Sequence, residues 1–322
     1  MNELLTLQQA YDLFIESRNA YCVDPTVRNY SNTLRYFLNF MKSRYDAKSD
    51  EIVVSNIDIH DLNAYSIFLK NKVRNDNNNY CGHNENVLIS SRTRKDYLKD
   101  VVAFLNFLFE NEYIEKNPAD RFKFPRVEPQ PIEPLTIPEV NKINDCYNES
   151  TKLGARNLAI IHCLLDEGMR SGEVQRLQRK DINFTENYIV IRNSKYNKGR
   201  IIPLAAVPRY YLKTYFDKLG KDLKDNDYVF AVNDGGPITD DAIKCFFQRL
   251  KKASGVSRIY PHLLRHTFAT SFILGGGDLA FLRIYMGHSS IETTQKYLHL
   301  ANNMRFMKNV YPVDSCFLKK IY

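Results

Sequence analysis

Apolar residues in the N-terminal part of the chain recur every three or four positions. Leu5, Ala10, Tyr11 and Phe14 form one series, and Tyr30, Leu34, Phe37, Leu38 and Met41 a second. Leu62, Tyr65, Phe68 and Leu69 give a third. Tyr97, Leu98, Val101, Val102, Phe104, Leu105, Leu108 and Phe109 give a fourth. A period near 3.6 places each set on one stripe of a helix, so this part reads as a small helical bundle. Between the third and fourth series, residues 71–86 are rich in asparagine and read as a surface loop. Ser90-Ser91 supplies an N-cap signal, and Arg92, Arg94 and Lys95 then bring cations into the first turn. The helix dipole prefers acids there, so the three cations are either phosphate contacts or a plain solvated turn.

Six of the 12 prolines fall between Pro118 and Pro138. The stretch Pro125–Pro138 is expected to be a non-helical, semi-stiff linker. At about 3.1 Å per residue it could reach roughly 40 Å. The domain boundary belongs here: a helical domain over 1–120, a proline-rich linker over 121–138, and a second domain over 139–322 with a tail from about 300.

The second domain changes pattern. Thr136-Ile137-Pro138-Glu139-Val140 is a good helix start, and Leu158–Leu165 reads as a buried helix ending at Gly168. Two β-branched runs, Tyr188–Ile191 and Ile201–Leu204, joined by Arg192–Arg200, predict a β-hairpin with a long basic tip. From Asp240 to Met307 the spacing is helical again, interrupted at Gly275-Gly276-Gly277 and at Gly287. The expected fold class is mainly α: a helical bundle followed by a mixed α/β, mostly helical domain with a small antiparallel sheet.

Composition narrows the function. Hydrophobic residues make up 44% of the 322 positions, which is enough apolar material for two cores. No apolar run approaches the ~20 residues of a membrane span. The N-terminus lacks the layout of a secretory signal. Six scattered cysteines with no C-x-x-C pair fit neither a zinc module nor a disulfide framework. A cytoplasmic protein with free thiols is expected. Charge is uneven: residues 1–130 carry 17 Lys/Arg and 18 Asp/Glu, net −1, while 131–322 carry 28 and 19, net +9. A basic domain of this size is either a polyanion binder or simply a solvated basic surface.

Four segments of the basic domain carry candidate chemistry. Gly168-Met169-Arg170-Ser171-Gly172-Glu173 sets an acid three residues after an arginine. Lys195 and Lys198 occupy the hairpin tip, with Arg200 following. His262 and Arg265 stand at i and i+3, on one helix face. Gly287-His288 precedes Tyr297 by nine residues. Taken singly, each has an ordinary reading as an ion pair, a core histidine, one of 21 tyrosines or a solvated lysine. Taken together, they match what a pentacoordinate phosphorane needs. Arginines donate to non-bridging oxygens, His and Lys move protons, and a tyrosine hydroxyl attacks. No acidic cluster suited to Mg²⁺ accompanies them.

The order and spacing of these segments resemble the tyrosine recombinases, the phage-integrase family. Pro261–Thr270 (PHLLRHTFAT) looks like the family's H-x-x-R box, and Met286–His299 (MGHSSIETTQKYLH) like the box that ends in the nucleophilic tyrosine. Gly168–Glu173 is similar to the first-arginine box, and Lys195–Leu204 (KYNKGRIIPL) to the hairpin lysine segment. The likeness runs from about 155 to 300, and more weakly through Ser91–Pro118.

The resemblance implies a SAM-like core-binding domain over 1–120 and a catalytic domain over 139–322 that together clamp duplex DNA. It implies that Arg170 and Arg265 hold the scissile phosphate, with Glu173 supporting Arg170 from behind. His262 would be a general acid/base, and His288 would donate to the phosphate. Lys195 would protonate the leaving 5′-oxygen and Tyr297 would attack. Tyr196 stands where the family usually has glycine, so Lys198 is the alternative acid. Arg92, Arg94, Lys95, Lys198 and Arg200 would contact DNA.

No cofactor, metal or ATP is implied. The expected partners are double-stranded DNA with inverted core sites, a homotetramer on two such sites, and an accessory directionality factor. The bundle's first helix starts near residue 5, so no arm-binding domain is expected ahead of it. The apolar tail (Met304, Phe306, Met307, Val310, Tyr311, Phe317, Leu318, Ile321) would dock on a neighbouring subunit. Integration or excision of a mobile element is the expected role, with dimer resolution as the alternative. A topoisomerase-like nicking enzyme and a non-catalytic DNA-binding regulator are the rival activities.

Overall fold

Thr6 opens the first helix: its hydroxyl accepts from the Gln9 N–H, and the Gln9 side chain accepts from the Thr6 N–H. The computed structural model describes residues 5–73, 87–127, 132–192, 199–219, 223–288 and 290–306. Its contacts divide the chain into two units, Met1–Pro129 and Gln130–Tyr322.

The N-terminal unit contains α1 (Leu7–Tyr21), α2 (Asp24–Tyr45), α3 (Ile59–Lys70) and α4 (Ser91–Glu110). The four apolar series form their inner stripes, except that Phe68 and Phe109 are exposed. Leu7, Ala10, Phe14, Leu34, Phe37, Met41, Leu62, Tyr65, Leu69, Phe104 and Leu105 are all buried. Phe14 meets Phe104 and Phe107 edge to face at 5.5 and 5.4 Å. Ser90 caps α4 by accepting from the Thr93 N–H at 3.0 Å. Arg92 is exposed and pairs with Asp96 at 3.3 Å, while Arg94 and Lys95 are half-buried beside it. The core of the asparagine-rich loop lies outside the described residues.

The C-terminal unit is built around α6 (Lys152–Leu165), buried from Leu158 to Leu165 on every side. A helix apolar all round belongs in a core. It packs against α8 (Ala206–Leu219) and α10 (Pro261–Leu274). Between these lie α7 (Ser171–Gln175) and a sheet of β1 (Ile182–Asn183), β2 (Tyr188–Ile191) and β3 (Arg200–Pro203). The sheet is antiparallel in the order β1-β2-β3, with Ile189 opposite Ile202 and Ile191 opposite Arg200. Then α9 (Asp240–Ser254) precedes α10, and α11 (Leu279–Met286) and α12 (Ile291–Phe306) follow it. The helical spacing from Asp240 onward hides a break over 255–260. There Gly255 ends α9 in the left-handed region at φ +70°, and Pro261 starts α10.

Residues 132–138, expected as linker, belong to the C-terminal unit, and α5 (Ile137–Asn144) already includes Pro138. Pro138 fits because it stands in the first turn, where its missing N–H has no partner to lose. Among the described residues, no helix is long and apolar enough to cross a membrane.

Candidate active site

Three arginines from three elements converge on one carboxylate. Arg170 stands at the N-terminus of α7, after Gly168 has turned the chain out of α6 at φ +56°. Its backbone N–H donates to Glu173 Oε2 at 2.8 Å, and its Nη1 donates to Glu173 Oε1 at 2.9 Å. Arg200, on β3, grips the same carboxylate with both terminal nitrogens, Nη1 to Oε1 at 2.7 Å and Nη2 to Oε2 at 2.9 Å. Arg265, on α10, lies 3.9 Å from Glu173 Oε2. Burial alone would raise the Glu173 carboxyl. The hydrogen bonds and charge of Arg200, then Arg170 and Arg265, outweigh it and hold the pKa at about 2.

Backbone carbonyls take up further arginine donors. Arg265 Nη1 donates to the Gly168 carbonyl, and its Nη2 donates to that of Met286 at 2.5 Å. Arg170 Nη2 donates to the Gly287 carbonyl at 2.8 Å, and Arg200 Nε to that of Tyr285 at 2.6 Å. Gly287 ends α11 at φ +62°, and a Cβ there would stand 3.0 Å from Arg200 Nη1. Glycine is required on both counts. Burial, followed by the charge of Arg170, pulls the Arg265 guanidinium down to about 9.

The histidines and the tyrosine lie beside this cluster. Arginine only donates, so the 3.3 Å contact between Arg265 Nη2 and His288 Nε2 makes that nitrogen an acceptor. His288 Nδ1–H therefore donates to Thr294 Oγ1 at 3.0 Å. Burial, then the charges of Arg265 and Arg170, lower His288 to about 4 and keep it neutral. Partial burial and the same two arginines also lower His262 from 6.5. The Tyr297 ring stacks nearly parallel to His288 at 6.2 Å. Burial raises its hydroxyl pKa, against the pull of Arg265 and Arg170.

The structure thus brings Arg170, Glu173, Arg265, His288 and Tyr297 together, with His262 on the exposed side of α10. Lys195 and Lys198 lie outside the described residues, as does the tail beyond 306. Arg200 departs from its expected place on the DNA surface. Its side chain is only 12% exposed and is fully committed inward to Glu173 and Tyr285. Strand parity carried the missing signal: Arg200 stands two residues before the buried Ile202 and so faces the core. Thr294, whose Oγ1 lies 3.0 Å from His288 Nδ1, was also missed, since one threonine of the pair Thr293-Thr294 has no spacing to mark it.

Residues 133–304 match the phage integrase family, and residues 6–124 match the phage integrase SAM-like domain. The tyrosine recombinase XerC of Bacillus pumilus is 33% identical over 222 residues, covering 66% of this chain and 72% of that protein. XerC of Oceanobacillus iheyensis is 28% identical over 284 residues, 86% of each chain. Among solved structures, the Tn1549 transposon integrase in complex with circular intermediate DNA superimposes with a TM-score of 0.70 at 22% identity. It spans 91% of this chain and 95% of that one, a likeness of fold. The chain belongs to the phage integrase family of tyrosine recombinases, DNA-binding enzymes that cut and rejoin DNA at specific sites.

Replacing Glu173 with glutamine leaves the arginines without their shared counter-charge. Breaking a buried ion pair from one side costs about 3–5 kcal/mol. A carboxyl whose pKa drops from 4.5 to about 2 on folding adds stability that is complete above 4.5 and fades as pH falls to 2. Denaturant unfolding of Glu173→Gln is therefore expected to show lower stability at neutral pH and a shallower acid decline across that window. A wild-type acid profile in the variant would contradict this.

Proposed function

We propose that this recombinase cuts duplex DNA with Tyr297 as nucleophile. The observation that carries the reading is the cluster's charge: three guanidinium groups and one carboxylate leave +2 beside the Tyr297 ring. Such an excess suits a phosphodiester whose transition state gains negative charge. Arg170 and Arg265 would take its non-bridging oxygens, with Glu173 and Arg200 fixing them from behind. His262 is neutral near pH 7 and suited to accept the phenolic proton, which burial makes hard to lose. The Tyr297 oxygen then bonds to phosphorus, the P–O5′ bond breaks, and the 5′-oxygen takes a proton from Lys195, or alternatively Lys198. The ester bond energy is kept in a 3′-phosphotyrosyl link, and the reverse steps rejoin the strand. His288 would donate to the phosphate once Arg265 turns from its Nε2 to the phosphate and the ring's proton is redistributed.

In this reading residues 1–120 bind the core site, with Arg92, Arg94 and Lys95 on phosphates, and the proline-rich stretch ahead of residue 132 links them to the catalytic domain. The first turn of α4 holds no acid, which suits a phosphate partner. Four copies would pair two DNA sites with inverted repeats in the cytoplasm, with direction set by an accessory factor. The role we favour is integration or excision of a mobile element. The whole-length likeness to recombinases named XerC supports the alternative, resolution of chromosome or plasmid dimers.

Tyr297→Phe removes one oxygen and is expected to abolish the covalent protein–DNA adduct on a nicked suicide duplex while leaving DNA binding intact. A normal adduct yield would remove Tyr297 from the mechanism.

General acid catalysis is worth about 10²–10⁴-fold, so Lys195→Ala is expected to slow cleavage by that order. A bridging 5′-sulfur leaves without a proton and should restore most of the rate. Rescue of Lys198→Ala instead would reassign the acid, and rescue of neither would point to His262.

Mapping the native cleavage sites separates the two roles. Cuts at both ends of an inserted element fit the first, and a single site with no element between its copies would favour dimer resolution.

A further inference from the structure

Residues 132–135 are strapped to the C-terminal unit through their backbone. His266 Nε2 lies 2.5 Å from the Ile132 carbonyl. Arg258 donates from Nη1 to the Glu133 carbonyl at 2.6 Å and from Nη2 to that of Pro134 at 2.8 Å. The Leu135 N–H donates to Thr267 Oγ1 at 2.9 Å. The side chains that hold the strap are themselves fixed. Arg258 is forked onto Glu139 at 2.9 and 2.6 Å, and the Thr267 hydroxyl donates to the Leu263 carbonyl at 2.8 Å. The strap therefore moves with α5 and α10.

One of these anchors also touches the reacting tyrosine. The His266 ring stands 5.0 Å from the Tyr297 ring, tilted by 49°. Tyr297 thus has two imidazole neighbours with different attachments. His288 is tied to Arg265 and Thr294, inside the arginine cluster. His266 is tied to the Ile132 carbonyl, in the chain that arrives from the N-terminal unit. A carbonyl only accepts, so His266 Nε2 carries the proton. Burial lowers its pKa from 6.5, against the pull of the Ile132 carbonyl, and so favours the neutral ring.

Given the reading of Tyr297 as nucleophile, we infer that His266 is a positioning residue that ties the orientation of the Tyr297 ring to the strap at 132–135. A displacement arriving along the linker reaches the attacking ring through one hydrogen bond and one ring contact. The arginine cluster need not move. Imidazole suits the task because it combines a flat ring with an N–H donor. Phenylalanine keeps only the ring, and glutamine keeps only a donor.

The test is the single-turnover rate of covalent adduct formation by the full chain at saturating DNA on a nicked suicide duplex. H266F and H266Q are each expected to slow that rate, on the order of tenfold or more, since small misplacements of reacting atoms are costly. The dissociation constant for DNA should stay unchanged. Loss of folded protein lowers the amplitude and leaves the rate of the active fraction untouched, so the rate isolates positioning. A glycine inserted between Pro131 and Ile132 is expected to slow the wild type but to add little to H266F, because the link is already cut. A wild-type rate in H266F overturns the inference, as does one in H266Q, which would leave the strap bond alone in play. So does an insertion that slows H266F by the same factor as wild type. Adduct from Tyr297→Phe would instead sink the nucleophile assignment, and the two failures are read separately.

Discussion

The Glu173 carboxylate determines how the catalytic unit is arranged. Arg170, Arg200 and Arg265 come from α7, β3 and α10, elements far apart in sequence, and each brings a positive charge to the same small volume. Two unit charges 4 Å apart repel by about 4 kcal/mol at an effective dielectric constant of 20. A single buried acid turns that repulsion into attraction and fixes the geometry of all three side chains. Held at about 2, it is ionised throughout the neutral and mildly acidic range. Because one negative charge meets three positive ones, the balance is incomplete by design of the site rather than by defect. An uncompensated buried charge costs stability, and the natural partner that recovers it is an anion.

Backbone geometry does the rest of the aiming. Gly168 and Gly287 both take positive φ, and each presents its carbonyl to an arginine of the cluster. A side chain at Gly168 would run into the Phe268 ring at 2.4 Å, so this turn also seals the core beneath the site. Arginines whose rotamers are fixed by carbonyls need not reorganise when charge develops on a bound phosphate. Cluster, carbonyls and glycines form one unit, and a change in any of them disturbs the others.

Much of this was legible in the residues, for identifiable reasons. The inner stripes of α1, α2 and α4 showed because their apolar residues fall mainly on one face, whereas α3 also exposes Ile67 and Phe68. The pairing of Glu173 with Arg170 showed because three residues separate them at a helix start. The five-residue α7 and the two-residue β1 are too short for any period to register. Arg200 was misplaced because its basic neighbours in Lys198-Gly199-Arg200 suggested a solvent-facing tip, whereas its partner lies 27 residues away. The break at 255–260 was hidden because Val256 and Ile259 pack into the core and extend the apolar spacing across it. His266 sits beside Arg265 in the most recognisable segment of the chain, yet its partner, a carbonyl 134 residues earlier, leaves no trace in sequence.

A second buried acid is joined to the cluster through Tyr285. Glu167 accepts from the Tyr285 hydroxyl at 2.7 Å and from the Ala205 N–H at 2.7 Å. The carbonyl of that same tyrosine receives Arg200 Nε, so Glu167 supports the arginine from one residue away. Ionised, it would set a negative charge against the Tyr285 hydroxyl, one residue removed from Arg200. Burial prevents this by pushing its pKa up to about 8, so the group is mostly protonated at neutral pH. The two acids therefore divide the work by environment. Glu173 is surrounded by guanidinium groups and stays charged, so it can organise them. Among the described residues Glu167 is hydrogen-bonded by a hydroxyl and a backbone amide and stays mostly neutral, so it holds Tyr285 without adding a full negative charge there.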